Sequence, residues 1–515
     1  MKSNKILFIL SILWGCFACT DGLEVIPENS VTFENYFKTE KDIETSLNAL
    51  RDEFRSTCAF NANKTPIDLG FVHDTLRSTS AQKSFNWDAT QFTPIYVDFF
   101  WNSHYAIICY ANILLENIDK AEITQNRKDY YIGLAHFYRG FTYFRIAQKW
   151  GEAPLQTDSR DISKKTKSSV ADILQFALDE TNLAIKLLPL HDGLIDANGS
   201  QVTDKATPSK EIAQALKADL CAWKAAINNE PELWQEAINA ANFVIDSCHY
   251  TLASDPEEVC TNVLPGGSDE GIFEIKFNYV EATRNPWTPM EEFVTFPIRP
   301  EDGRGDIKFE TTVDKMYPGH FEGMIAEGVY QGDKRRLAYF YDLDTIRKNA
   351  EWHALAEGYA YPYKFRKVQL GTTSWSQGKF ECFACDHIIY RLADLILLRA
   401  ECYTRINKND LAAKDLNRIR ERAYGNRSHD YNAAAEGNDL RYIIFKEREK
   451  ELLWEGKRWY DIVRNGYWKT ELSKFHATQM TQQDVDNGAL YMPVGYPAFN
   501  ENSLMTQNKY WQARY

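Results

Sequence analysis

Apolar side chains return every three or four residues through much of this chain, the spacing that lines up one face of an α-helix. Over Thr39–Arg55 the row is Ile43, Leu47, Leu50 and Phe54. A second row follows Trp101-Asn-Ser-His-Tyr105 and runs through Ile108, Asn112, Leu115 and Ile118. Leu134, Ala135, Tyr138, Phe141 and Arg145 predict a helix that stops at Trp150-Gly-Glu-Ala-Pro154, where glycine ends the helix and proline prevents its return. Ser169 caps a row of Val170, Ile173, Leu174, Ala177, Thr181, Ala184 and Leu188, which Pro189 terminates. Pro208 opens a helix with Ile212, Leu216, Leu220, Trp223 and Ile227, and Pro231 opens its partner with Trp234, Ala237, Ala241 and Val244. Short helices joined by short turns, with alanine at the contacts, predict stacked helix pairs, although the repeat is too degenerate to establish by period alone.

Near residue 250 the pattern changes. Gly271-Ile-Phe-Glu-Ile-Lys-Phe277 alternates as a short strand, and the hundred or so residues after it show little helical period. Proline, glycine and aromatic residues accumulate there, so the stretch is expected to be an irregular subdomain grafted onto the helical half. Helical spacing returns at Ile389, Leu392, Ala393, Ile396, Ala400 and Tyr403. Leu398 lies on the opposite side, so this helix should be covered on more than one face. Asn409 or Asp410 offers an N-cap to the next row, Ala412, Leu416, Ile419 and Ala423, which Gly425 stops. A third segment begins near Asp439 with Ile443 and Ile444, but its inner face continues into Glu447, Glu451 and Glu455 and reaches Arg458. Acid stands where core is expected. Buried carboxylates need cationic partners, which predicts contacts with arginines such as Arg391, Arg418 or Arg420.

Three of these stretches carry a resemblance: Tyr390-Arg-Leu-Ala-Asp-Leu-Ile-Leu-Leu-Arg-Ala-Glu401, Leu416-Asn-Arg-Ile-Arg-Glu-Arg-Ala423, and Glu447-Arg-Glu-Lys-Glu-Leu-Leu-Trp-Glu-Gly-Lys-Arg-Trp-Tyr-Asp461. In that order they resemble the C-terminal signature of the SusD/RagB family of outer-membrane nutrient-binding lipoproteins. The early Trp101 to Asn112 pattern, Trp150 to Pro154, Gly332-Asp-Lys-Arg-Arg336 and Tyr363-Lys-Phe365 extend the likeness over nearly the whole chain. Tyr491-Met-Pro-Val494 and Gln507-Asn508-Lys-Tyr-Trp511 are similar to the family's terminal segments, with its usual Pro-Ile-Pro altered. The resemblance implies a mainly α, SusD-like fold: tetratricopeptide-like helix pairs with an irregular, loop-rich subdomain containing short strands. It also implies work beside a SusC-type TonB-dependent transporter.

The first residues fit that picture. Lys2 and Lys5 precede an apolar run from Ile6 to Trp14, and small residues then precede two cysteines, the layout of a secretory signal too short to span a membrane. Both Gly15-Cys16 and Ala18-Cys19 suit processing before a lipidated cysteine. Cys19 is taken as the lipid anchor because Trp14 is bulky where a small residue is usual and Cys19-Thr-Asp-Gly-Leu-Glu resembles the mature start of family members; Cys16 is the alternative. The expected division is 1–18 signal peptide, 19–250 N-terminal helical region, 251–387 aromatic-rich ligand-binding insertion and 388–515 C-terminal helical region. With 515 residues, 44% of them apolar, the chain can bury a large core. Its formal charge of −13 becomes −15 once Lys2 and Lys5 leave with the signal, which repels phosphate backbones and makes nucleic acid a poor partner.

Motifs for chemistry are weak. Cys382-Phe-Ala-Cys385-Asp-His387 lacks a second ligand pair for zinc, and Asp386 stands where haem attachment needs histidine, so it is expected to be a disulfide or two buried thiols. Cys109, Cys221 and Cys402 fall inside helical patterns as small buried residues. His104 has no second histidine at a metal spacing and is expected to be packed or capping. Gly371 and Gly378-Lys379 are wrongly spaced for a phosphate loop, and neither His-Glu-x-x-His nor Gly-x-Ser-x-Gly occurs. No cofactor, metal or catalytic residue is predicted. Glycoside hydrolysis needs two acids flanking a sugar bond, and the spacing of Glu447, Glu451 and Glu455 is equally that of a salt-bridged helix face.

The expected function is therefore a non-enzymatic, surface-exposed lipoprotein that binds a glycan or oligosaccharide and passes it to the transporter. The rivals are an extracellular glycoside hydrolase, which would release product, and a helical-repeat scaffold, which would bind protein and no small ligand. The ligand site is placed where the long polar stretch around Trp87 meets the aromatic insertion. Trp87, Trp287, Trp352, Tyr361 and Trp375 lie outside strong helical periods, and Asp74 and Arg77 are polar candidates nearby. Flat aromatic rings stack on the C–H faces of sugars, while carboxylates and guanidiniums meet the hydroxyls.

Overall fold

The computed structural model describes residues 36–61, 94–276, 332–340, 363–374, 377, 380–471, 480–495, 497–500 and 502–512. Among them helix predominates. The N-terminal part holds α1 (Glu40–Arg55), α2 (Pro94–Asn117), α3 (Gln125–Lys149), α4 (Val170–Leu187), α5 (Lys210–Ile227) and α6 (Leu233–Ser247). Then come β1 (Gly271–Ile275), the short helix α7 (Arg335–Tyr339), β2 (Val368–Leu370), β3 (Phe380–Phe383) and β4 (His387–Arg391). The C-terminal part adds α8 (Leu392–Arg405), α9 (Asn409–Tyr424), α10 (Leu440–Glu451) and α11 (Arg458–Asn465). No helix of the described residues is long and apolar enough to cross a membrane.

Local chemistry sets the ends of these helices. Thr39 and Asp42 form a reciprocal capping box at α1, and the Ser169 hydroxyl accepts from the Asp172 amide at α4. Ser209, one residue past the expected Pro208, accepts from the Ile212 amide and caps α5. Asp439 does the same for α10 from the Tyr442 amide. Gly425, at φ 75°, closes α9 in the left-handed conformation that glycine adopts without strain.

Consecutive helices pack as pairs: α3 on α2 and α4, α5 on α6, and α8 on α9, with α8 also resting on α6 and α10. The α3–α4 contact is close because Gly140 has no side chain; a Cβ there would sit 3.0 Å from Glu180 Cβ and 3.1 Å from the Ala177 carbonyl. One apolar core runs from Phe37 and Ile43 through Phe141, Leu216 and Leu397 to Trp511, so both helical parts share it. A second cluster joins Val259, Cys260 and Leu264 to Tyr339, Phe340, Phe365 and Trp454. Leu398 is buried like nearly all of α8, as expected for a helix covered on several faces.

Three expectations fail locally. Lys408, not Asn409 or Asp410, is the N-cap of α9, and it makes no side-chain capping hydrogen bond. Ile389 belongs to strand, not to the core helix: β4 pairs antiparallel with β1 in the register Gly271↔Arg391, Phe273↔Tyr390, Glu274↔Ile388 and Ile275↔His387. Ile388, Ile389 and Tyr390 suit a pleated ribbon, and a short apolar run cannot distinguish strand from helix by period. The acidic face likewise does not continue along one helix to Arg458. α10 ends at Glu451, and Trp454 (φ 62°) and Gly456 (φ 73°) turn the chain before α11. Glu455 thus reaches inward from a turn. The second small ribbon pairs Val368 with Phe383 and Gln369 with Cys382.

Candidate functional site

The acids that interrupted the helical pattern build a buried ionic network between the C-terminal helices and the irregular segments. Glu447 accepts from Arg335 Nη2 at 2.6 Å and from Arg420 Nε at 2.9 Å. Arg335 also binds Asp333, at 3.0 and 2.8 Å. Glu455 accepts from Arg391 Nε at 2.7 Å, from Arg391 Nη2 at 2.8 Å and from Lys364 Nζ at 2.5 Å. Glu270, just before β1, takes Arg391 Nη1 at 2.7 Å and Arg422 Nη1 at 2.9 Å. Glu451 lies in the middle with no exposure, beside Arg391 Nη1 at 2.9 Å, Arg335 Nη1 at 3.5 Å and the Arg422 guanidinium. Lys364 additionally donates to the Glu451 and Leu453 carbonyls, both at 2.9 Å. Arg391 and Arg420 thus pair as expected, whereas Arg418 is exposed.

A neighbouring group extends the pattern. Arg448 bridges Asp461 at 2.9 Å and Asp394 at 2.8 Å, and Arg464 grips Glu401 at 2.8 and 2.6 Å. Burial by itself would raise the carboxyl pKa values of Glu447, Glu401 and Glu451, but the neighbouring cations outweigh it. Arg335, Lys450 and Arg420 hold Glu447 at about 2, and Arg464 holds Glu401 at about 2. Glu451 is held still lower by Arg422, Arg391 and Arg335. These three carboxylates are ionised at neutral pH and neutralised by their cations, unsuited to general acid chemistry, which needs a carboxyl that is protonated near the working pH. Sequence reasoning missed Arg335, Lys364, Glu270 and Arg422. The signal was present in Gly332 to Arg336 and Tyr363 to Phe365, stretches that resemble family landmarks and carry the cations that the buried acids need.

His104 is 1% exposed with its ring edge-on to Trp150 at 5.1 Å, a packed residue as expected. Cys221 and Cys402 are buried thiols and Cys109 is half-buried. Cys385 is half-buried, while the Cys382 side chain lies outside the described residues. Trp87, Trp287, Trp352, Tyr361, Trp375, Asp74, Arg77 and both signal-region cysteines, Cys16 and Cys19, also lie outside them. Two openings are described. One of about 60 Å³ among His104, Arg145, Asp219, Tyr390 and Lys457 has room only for a few waters. The other, about 380 Å³, opens at the end of β1 between Asp204, Glu274 and Asp386.

Comparison with known proteins matches this architecture. Residues 270–511 match the model of the SusD family, and residues 23–210 match a model described as "Starch-binding associating with outer membrane". The chain belongs to the SusD/RagB family. SusD-like protein P38 of Formosa agariphila is 24% identical over 515 residues, covering 90% of this chain and 91% of its own. A SusD homolog from Bacteroides thetaiotaomicron superposes with a TM-score of 0.72 at 20% identity, over 92% of this chain and 99% of that one. A laminarin-binding SusD-like protein superposes at 0.67 with 19% identity over 92% and 99%. Surface glycan-binding protein A of B. thetaiotaomicron superposes at 0.68 with 18% identity over 92% and 100%. The mainly helical, SusD-like fold is thus the fold of this chain.

Proposed function

We propose that this protein is a non-enzymatic, lipid-anchored glycan-binding protein of the outer-membrane surface that captures an oligosaccharide and hands it to a SusC-type TonB-dependent transporter. The observation that carries this function is membership of a family whose neighbours in fold are named for laminarin and surface-glycan binding. The outer-membrane association in the description of the N-terminal family model supports the location, and the signal-like start with Cys19 supports the anchor. Trp87, Trp287, Trp352, Tyr361 and Trp375 are the proposed stacking residues, with Asp74 and Arg77 as polar partners. A binding role without catalysis agrees with the ionic network, whose carboxylates are all committed to guanidinium or ammonium groups. The test is extraction of the outer membrane under mild detergent followed by affinity capture of this chain, combined with a glycan-binding screen. A large β-barrel transporter should come with it and at least one glycan should be retained. Capture of the chain alone, with no glycan retained, refutes the proposal.

A further inference from the structure

The larger opening has a buried acid in its wall. Glu274 is 2% exposed; its Oε2 takes the Gly267 amide at 2.7 Å, but its Oε1 finds no hydrogen-bond donor among the described residues. A buried carboxylate oxygen left in that state is unfavourable, so its retention calls for a reason. The side chain lines a cavity of about 380 Å³, within the roughly 300–1,000 Å³ of small-molecule sites. The walls come from three parts of the fold. The loop before α5 contributes Asp204 and Lys205 and is docked to β1 by the Glu274 amide donating to the Lys205 carbonyl at 3.1 Å. β1 contributes Glu274 with Lys276 just past its end, and the residues flanking the second ribbon contribute Lys367, just before β2, and Asp386, just before β4.

We infer that this cavity is a second saccharide subsite, one that recognises a neutral polyhydroxylated ring through its hydroxyls and without aromatic stacking. Three carboxylates and three ammonium groups face it, so an anionic or cationic ligand would meet like charges, whereas sugar hydroxyls donate to the first set and accept from the second. None of its lining residues is aromatic, which separates it chemically from the tryptophan-rich site proposed above. Lys276 and Lys367 are exposed at the rim, and Lys205 stands back with its ammonium 4.6 Å from the Tyr250 ring centre. The inference rests on the glycan-binding function proposed above and adds to it a site of different chemistry.

The site predicts a pH dependence of defined sign. Burial raises the Glu274 carboxyl to about 7; the Gly267 amide and Lys205 oppose that, while Asp386 and Asp204 add to it. A hydroxyl donating to the Glu274 carboxylate favours the ionised form, so binding should tighten as pH rises. With only the ionised fraction competent, the dissociation constant should fall about tenfold between about pH 6 and pH 8. The experiment titrates the mature full-length chain with glucose, galactose, mannose, xylose and glucosamine by ligand-observed NMR. Wild type should bind at least one neutral sugar with that slope. Glu274→Gln, which keeps an acceptor for the Gly267 amide, should lose the slope, and Lys276→Ala with Lys367→Ala should weaken binding several-fold. The inference is overturned if no neutral sugar binds, if affinity is flat or rises on acidification, if glucosamine is preferred more than about tenfold, or if all three proteins bind alike. Retention of polysaccharide on affinity gels reports the proposed function separately, so polysaccharide binding with a silent cavity sinks only the second site.

Discussion

Glu451→Leu isolates what the buried acids do. The carboxylate has no exposure and stands among Arg391, Arg335 and Arg422, so leucine removes the negative charge on which three guanidiniums converge. Each keeps another partner: Arg391 has Glu455 and Glu270, Arg335 has Asp333 and Glu447, and Arg422 has Glu270. The loss is therefore that of one partner in a buried group, about 3–5 kcal/mol, and nearer the lower figure because no arginine is stranded. Unfolding entropy of roughly 2 cal/mol/K per residue over 515 residues gives ~1 kcal/mol/K, so the melting temperature should fall only about 3–5 °C. Circular-dichroism melts of Glu451→Leu, Glu451→Gln and Glu451→Leu with Arg422→Leu resolve that. Glutamine should destabilise too, because it keeps the shape and loses the charge, and the double variant should recover part of the loss. Glycan affinity should not change. A leucine variant that melts with wild type yet no longer binds glycan would make the carboxylate a ligand group and refute the reasoning.

Acid should act on the same network: Glu447 is held at about 2 against an ordinary 4.5, so its contribution, on the order of 3 kcal/mol, is full above pH ~4.5 and lost as pH falls toward 2. Melting followed over that window should drop more steeply for wild type than for Glu447→Gln. Gly140→Ala forces a methyl against Glu180 and the Ala177 carbonyl and should cost about 1–3 kcal/mol, read from denaturant midpoints; a midpoint equal to wild type means α3 and α4 separate freely. Alanine at a stacking residue among Trp87, Trp287, Trp352, Tyr361 and Trp375 should weaken glycan binding by on the order of 1–3 kcal/mol in calorimetry, and uniform wild-type affinity across folded variants moves the site elsewhere. Cys19→Ala should release the protein from membranes or leave it unprocessed, whereas the same effect from Cys16→Ala alone would move the anchor to Cys16.

Much of the helical architecture was legible because amphipathic rows and caps are local. Ser169, Gly425 and Asp439 act at their own helix ends, and the apolar positions of α1 and α4 to α6 are buried as their spacing requires. Tertiary pairing was not legible. Ile389 fits a helical row with Leu392 and Ala393, and only the antiparallel partner β1, far upstream, makes it strand. The turn after Glu451 was hidden because Leu452, Leu453 and Trp454 continue an apolar pattern while Trp454 adopts a positive φ. Charge partners were half legible. A buried acid announces its need for a cation, but Arg335 and Lys364 lie about a hundred residues from Glu447 and Glu455, and nothing periodic connects them.

That long-range pairing holds the described segments between β1 and β4 to the helical scaffold, with only a small apolar cluster beside them. Segment 332–340 is fixed through Arg335 to Glu447 and through Tyr339 and Phe340 to the small apolar cluster. Segment 363–367 is fixed through Lys364, which holds Glu455 and two carbonyls of the turn after α10. Glu270 ties the start of β1 to Arg391 and Arg422. In sequence, the stretches that carry Trp287, Trp352 and Tyr361 fall between these clamped points. Apolar packing tolerates sliding among near-equivalent contacts, whereas bidentate guanidinium–carboxylate pairs fix both position and orientation. The proposed ligand stretches lie between anchors of that kind, so loosening one, as in Glu451→Leu, should cost stability first and ligand contacts only if the stretch between the anchors shifts.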